Sequence, residues 1–197
     1  FLIFILFPIF LTLKIVVWPK LIIGFAAVVY VGAIIHQEKI KLFKISKTNL
    51  NQQLKRIVML FFGLTIITSG FLYFSTPEKL FYVLLQKPYL WLAILAIYSL
   101  FSVLPQEIIY RSFFFYRYKN IFKSEKLLLF VNAIVFSLGH LFFHNLLVSA
   151  LTFVGGFLFA FTYFKSKSLL LVTLEHIIYG CWLFTVGMGD ILGFPNP

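Results

Sequence analysis

Two ionisable side chains, the carboxylate of Glu107 and the guanidinium of Arg111, lie four residues apart in an apolar stretch of the sequence. Residues at this spacing share one face of a helix, so the carboxylate and the guanidinium can pair. Three histidines also lie in apolar runs: His140, His144 and His176. An ionisable group costs roughly 3 kcal/mol to place in hydrocarbon, which makes each one a functional-site hypothesis by default. Together they predict a buried reaction centre.

A carboxylate and imidazoles from separate segments suit hydrolysis, since imidazoles hold Zn²⁺ or polarise a water while a carboxylate accepts its proton. His140 and His144 lie four apart, on one helix face, and can meet one metal. Their sequence H-L-F-F-H lacks the glutamate of H-E-x-x-H, so the zincin motif is absent. His144 precedes Asn145 at the end of its apolar run, where helix capping or contact with interfacial water is the alternative.

Each constellation also has a structural interpretation. A buried Glu107–Arg111 pair can lock two helices together without taking part in chemistry. Glu175 and His176 are adjacent, and neighbouring helix positions point about 100° apart. We therefore expect one of them to serve the site and the other to contact a neighbouring helix. A purely structural histidine–glutamate hydrogen bond between helices is the alternative.

The elements that must position these residues are apolar helices. The 197 residues are 61% hydrophobic and 12% charged, against about 25% charged in soluble proteins. A membrane span needs about 20 apolar residues. The sequence predicts an all-α, polytopic transmembrane helical bundle with about seven spanning helices and a short interfacial helix at 80–86. The predicted spans are 1–17, 21–35, 57–74, 89–104, 127–143, 146–164 and 169–186.

The net charge of +11 indicates how the chain is oriented in the membrane and does not indicate nucleic-acid binding. Thirteen of the 17 Lys and Arg residues fall in the alternate connections 36–56, 111–126 and 165–167. By the positive-inside rule these connections are cytoplasmic and the tail 188–197 lies outside. The richness in Phe, Ile, Lys, Tyr and Asn is typical of a low-GC genome and indicates a bacterial inner membrane. Cys181 is alone, so neither a disulfide nor a cysteine-rich metal site is possible.

Three motifs occur in order on separate predicted spans: Gln106-Glu107-Ile-Ile-Tyr-Arg111, Phe136-Ser-Leu-Gly-His140 and Glu175-His176-Ile-Ile-Tyr-Gly180. The chain resembles the CPBP intramembrane proteases, which include CAAX prenyl endopeptidases and bacteriocin-processing or immunity proteins. Those proteins carry E-E-x-x-x-R, F-x-x-x-H and a later histidine followed four residues on by Asn or a small polar residue. The resemblance spans about 75 residues, 106–180.

The resemblance implies one transmembrane domain over 1–197 with a catalytic core at about 89–186, in a sequence that begins inside a longer chain. It implies an intramembrane endopeptidase acting on a membrane-embedded or lipidated peptide, with Zn²⁺ as the cofactor. The candidate catalytic residues are Gln106, Glu107, Arg111, His140, Glu175 and His176. The metal ligands would be Glu107, His140 and His176, and Arg111 would orient Glu107.

Two positions depart from the family pattern. Gln106 stands where the family has its first glutamate, and a neutral amide cannot act as a general base. Gly180 stands where the family has asparagine, which removes an oxyanion-type donor. Either Glu107 or Glu175 takes over the base role, or the chain is an inactive homologue that acts as a scaffold or immunity protein. A transporter with a proton relay is a third hypothesis, although no inverted repeat is visible.

Depth in the membrane sets a condition on the site. At 1.5 Å per residue, Glu107 lies about 27 Å from the outer start of its span, and His140 lies about 20 Å from the cytoplasmic start of its own. The two meet only if helix ends protrude, tilt or kink. A first helix that continues past Tyr110 towards Tyr118, or a second that begins before Leu127, would alter this match.

Overall fold

The computed structural model describes residues 1–40, 42 and 50–192. The structure is 84% helical, and no strand occurs in the described ranges, which confirms the all-α class. The helices are α1 (Ile3–Thr12), α2 (Val17–Gln37), α3 (Leu50–Ser75), α4 (Tyr82–Gln86), α5 (Pro88–Tyr118), α6 (Glu125–Leu138), α7 (Leu146–Ser166) and α8 (Leu169–Val186). Short 3₁₀ turns lie at Pro77–Lys79, Leu141–Phe143 and Asp190–Leu192.

Six of the described helices are long and apolar enough to cross a membrane: α2, α3, α5, α6 with its following turn, α7 and α8. This is one fewer than the seven expected. The first predicted span forms only the 10-residue helix α1, which at 1.5 Å per residue reaches about 15 Å, half of a typical hydrocarbon core. The chain belongs to the multi-pass membrane proteins, and α4 is the short helix expected near 80–86.

Helix α1 packs mainly on α6 and the turn after it, and it also touches α2. The Lys20 Nζ group donates a hydrogen bond to the carbonyl oxygen of Leu11 at 2.7 Å, and Gly24 of α2 faces the ring of Phe7. The backbone at Leu13 is extended and ends α1 before Lys14. The polar Lys14 and Lys20 therefore border a helical hairpin rather than two full spans.

Helix α5 continues well past the predicted end at 104 and runs for 31 residues. Two π-helical stretches, Tyr98–Val103 and Ile108–Phe113, flank a short α-helical piece that contains Pro105 and Glu107. Proline lacks an N–H and clashes with the preceding turn, and wider π-helical turns often occur at functional sites. Both changes of helix bounds considered above occur: α5 continues to Tyr118, and α6 begins at Glu125, before Leu127.

Helix α8 occupies the centre of the bundle. In α8, 56% of the span is buried inside the protein, against 6% for α2. Helices α6 and α7 pack closely where Gly156 meets Phe136: a Cβ at Gly156 would lie 2.9 Å from the ring atom Cδ1. Small residues permit such close helix approach in membranes.

The basic connections that the structure describes gather at one end of the bundle. The Tyr116 hydroxyl donates to Glu38 at 2.9 Å and so joins the end of α5 to the segment after α2. Between α7 and α8, burial and nearby Lys119 lower the pKa of Lys167. Lys41, Lys44, Lys47, Gly193 and Pro195 lie outside the described residues. The cytoplasmic assignment of this end stays a prediction.

Candidate active site

Glu107 of α5 and His176 of α8 form the centre of the site. The His176 Nδ1–H donates to Glu107 Oε1 at 2.8 Å, and the two residues are 0% and 5% exposed. A carboxylate oxygen accepts this hydrogen bond, and a neutral imidazole with its proton on Nδ1 has its lone pair on Nε2. This nitrogen is the group that can accept a proton.

Arg111 lies on the other side of the same carboxylate. Its Nε is 3.2 Å from Glu107 Oε2, so the ion pair predicted from the i, i+4 spacing is present. Arg111 Nη1 donates to Asn132 Oδ1 at 2.6 Å, and its Cζ lies 4.8 Å from the centroid of the Phe136 ring. The guanidinium is 0% exposed, and these contacts offset the cost of burying its charge.

Asn132 of α6 is a site residue that sequence reasoning missed. It is fully buried, and its Nδ2 donates to the carbonyl oxygen of Tyr110 at 2.8 Å while its Oδ1 accepts from Arg111. It therefore ties α6 to α5 through both ends of its amide. The available signal was a lone amide side chain inside an apolar span, since polar residues in membranes tend to face a partner.

His140 lies in the turn that follows α6. Its Nδ1–H donates to the carbonyl oxygen of Phe136 at 2.9 Å, which leaves the lone pair on Nε2. The Phe136 ring is 4.9 Å from the His140 ring and 5.6 Å from the His176 ring, measured between centroids. The structure thus brings both histidines to one phenylalanine, which also covers Arg111.

Glu175 points away from this centre. Its carboxylate pairs with Arg56 Nη2 of α3 at 3.0 Å and accepts a hydrogen bond from the Thr162 hydroxyl of α7. The prediction that Glu175 and His176 face different partners is therefore confirmed. The structure does not bring Glu175 together with Glu107 and His176, so its contacts favour a role in holding three helices together. Arg56, predicted in a polar loop, lies inside α3.

Gln106 and His144 also lie apart from the centre. Gln106 Nε2 donates to the Ser102 hydroxyl at 2.8 Å, and its buried Oε1 has no hydrogen-bond partner in the described part of the chain. His144 is exposed, and its backbone has the left-handed conformation, with φ of 50°. It precedes Asn145, whose Oδ1 accepts from the Leu147 N–H at 2.9 Å and caps α7. Asn145, and not His144, therefore caps α7.

The donor set does not fit a three-ligand zinc site in this arrangement. Among the residues that the structure describes, no three His, Cys, Asp or Glu side chains are placed to share a metal ion. Both oxygens of Glu107 face other partners, His176 and Arg111. The zinc ion and its ligands Glu107, His140 and His176 therefore stay a prediction, and no chemical step is derived through a metal.

Comparison with known proteins finds a similar family. Residues 88–182 match the family model described as Rce1-like, type II CAAX prenyl endopeptidase. The match contains α5, α6, α7 and most of α8, and with them all three motifs. No curated protein and no solved structure gave a match. Residues 88–182 are therefore similar to this family, which supports the CPBP and CAAX-type protease resemblance of the three motifs.

Proposed function

We propose that this chain is an intramembrane endopeptidase in which His176 accepts the proton of the attacking water. The observation that carries the proposal is the buried 2.8 Å hydrogen bond from His176 Nδ1 to Glu107. The family supports a CAAX-type protease, and this pair supplies a base where Gln106 cannot. A second imidazole, that of His140, stands beside the same Phe136 ring.

The chemistry follows the logic of a histidine oriented by a carboxylate. The carboxylate of Glu107 fixes the tautomer of His176 and stabilises the imidazolium that forms when Nε2 takes a proton from water. The hydroxide attacks the scissile carbonyl carbon, and His176 then returns the proton to the leaving amine. Arg111, whose Nε lies 3.2 Å from Oε2, holds the Glu107 carboxylate in a fixed position. His140 presents a second lone pair that accepts a hydrogen bond from the same water.

The substrate class follows from the surroundings of the site. Glu107, Arg111 and His176 are at most 5% exposed, inside helices that are apolar enough to span a bilayer. A substrate must therefore enter from within the membrane. We propose a membrane-embedded or lipidated peptide, with the bilayer as the only other partner and with the basic end of the bundle at the cytoplasmic face of a bacterial inner membrane.

Cleavage of a prenylated peptide by the purified protein in lipid nanodiscs tests the proposal. We expect His176→Ala and His140→Ala to lose cleavage. His144→Ala is the matched control, because this histidine is exposed at the cap of α7, and it is expected to keep the wild-type rate. Wild-type rates in both His176→Ala and His140→Ala would overturn the assignment.

A second candidate function is that of an inactive homologue, a membrane scaffold or immunity protein. The observation that favours it is Gln106, whose amide bonds Ser102 and leaves its buried Oε1 unpaired. Gln106→Glu is the deciding variant. Cleavage by this variant and none by the wild type supports the inactive homologue, whereas cleavage by the wild type supports the endopeptidase.

A further inference from the structure

Tyr98 stands beside the Glu107–His176 pair. It is the first residue of the π-helical stretch Tyr98–Val103 in α5. Its ring lies edge-on to the His176 ring, with centroids 6.0 Å apart and an interplanar angle of 80°, and packs on Phe184 at 4.9 Å. The phenol is thus held by side chains of α8 on both sides of Gly180.

The Tyr98 hydroxyl fills the space next to Gly180. A Cβ at Gly180 would lie 1.9 Å from the Tyr98 hydroxyl oxygen and 2.4 Å from its Cζ, so position 180 cannot carry a side chain while Tyr98 is in place. Gly180 is four residues after His176, on the same helix face. The hydroxyl therefore stands one helical turn from His176, where a side chain from position 180 would otherwise project.

The Tyr98 hydroxyl forms no hydrogen bond within the described residues, and Glu107 and Cys181 are close enough to interact with it electrostatically. Tyr179, a neighbouring tyrosine of α8, differs because its hydroxyl donates to the carbonyl oxygen of Ile57 at 3.0 Å. The Tyr98 O–H group lies one helical turn from the proposed base His176. It can therefore donate a hydrogen bond to negative charge that forms beside His176.

We propose that Tyr98 is a catalytic residue that donates a hydrogen bond to the scissile carbonyl oxygen, in place of a donor at Gly180. The proposal rests on the endopeptidase function above. As hydroxide bonds to the carbonyl carbon, the π electrons move to the oxygen, and the Tyr98 O–H stabilises that charge while keeping its proton. The proton of the water goes to His176, so Tyr98 begins and ends the step unchanged.

Tyr98→Phe tests the role of the hydroxyl, because it keeps the ring packed between His176 and Phe184. Loss of one oxyanion donor lowers kcat by about 10²- to 10³-fold, and we expect this fall with KM and thermal stability close to wild type. Tyr179→Phe is the matched control: it removes a buried structural hydrogen bond to Ile57 and leaves kcat unchanged.

Exchange of the donor gives a second, independent readout. The double variant Tyr98→Ala, Gly180→Asn empties the space of the phenol and supplies an amide donor from α8. We expect it to cleave at least tenfold faster than Tyr98→Ala alone. An active wild type with an unchanged kcat in Tyr98→Phe overturns this inference and leaves the proposed function standing. A wild type that cleaves no prenylated peptide overturns both.

Discussion

Replacement of Glu107 by glutamine separates stability from catalysis at the buried ion pair. Glutamine keeps the size of the side chain and can still accept a hydrogen bond from His176, but it leaves the guanidinium of Arg111 without a counter-charge. Arg111 is 0% exposed. Removing one partner of a buried pair costs about 3–5 kcal/mol. We expect the lower end, about 3 kcal/mol, because Asn132 at 2.6 Å and the Phe136 face remain.

The expected change is measurable as a melting temperature. At about 2–4 °C per kcal/mol for a chain of this size, 3 kcal/mol lowers Tm by about 6–12 °C. The double variant Glu107→Gln, Arg111→Met removes both charges, and replacing a buried ion pair by apolar groups is often neutral or stabilising. We expect it to regain at least half of the lost Tm. Asn132 then loses its 2.6 Å partner, and the carbonyl oxygens of Gly156 and Tyr110 lose only long 3.4 Å hydrogen bonds.

Catalysis should not recover with stability. Both variants remove the carboxylate that orients His176, and loss of such a carboxylate lowers kcat about 10⁴-fold in the serine protease triad. Differential scanning fluorimetry in detergent gives Tm, and cleavage of a prenylated peptide gives kcat. A wild-type Tm in Glu107→Gln would refute the energetic argument. A wild-type kcat in the double variant would refute the role of Glu107 in catalysis.

Three further predictions concern the surroundings of the site. Asn132→Ala leaves Arg111 Nη1 and the Tyr110 carbonyl oxygen with only the long 3.4 Å hydrogen bond between them. The loss should cost about 2–3 kcal/mol in thermal unfolding, and an unchanged Tm would contradict this. Gly156→Ala places a Cβ 2.9 Å from Phe136 and should cost about 1–3 kcal/mol, whereas its control Gly63→Ala, with open space around it, should cost less; equal costs would contradict the packing. Elemental analysis tests the zinc prediction: one zinc per chain that is lost in His140→Ala would support the predicted ligands, and a purified active protein without zinc would contradict them.

The sequence predicted the class of fold and the Glu107–Arg111 pair because both follow from local patterns. Apolar runs of membrane length define helices, and an i, i+4 spacing places two side chains together on any α-helical face. The number of spans was harder to predict, because 1–17 is apolar throughout except at Lys14. What ends α1 is the extended backbone at Leu13 and a hairpin with α2, which are tertiary features.

Contacts between distant residues could not be predicted from one sequence. Arg56 and Glu175 are 119 positions apart, and no local spacing indicates that they pair. Tyr98 begins a π-helical stretch of α5, and its hydroxyl lies against Gly180 of α8. No simple sequence pattern predicts a π-helical turn. The contact between Tyr98 and Gly180 could therefore not be predicted from the motifs. Asn132 could have been suspected from its polarity, but not its partners.

The role of His176 as the base is tested most directly by chemical rescue. The measurement is the rate of prenylated-peptide cleavage by His176→Gly as imidazole is added. We predict no cleavage without imidazole and a rate that rises with imidazole concentration, since free imidazole can occupy the space beside Glu107 and accept the proton of water. Cleavage at the wild-type rate without imidazole would contradict the account.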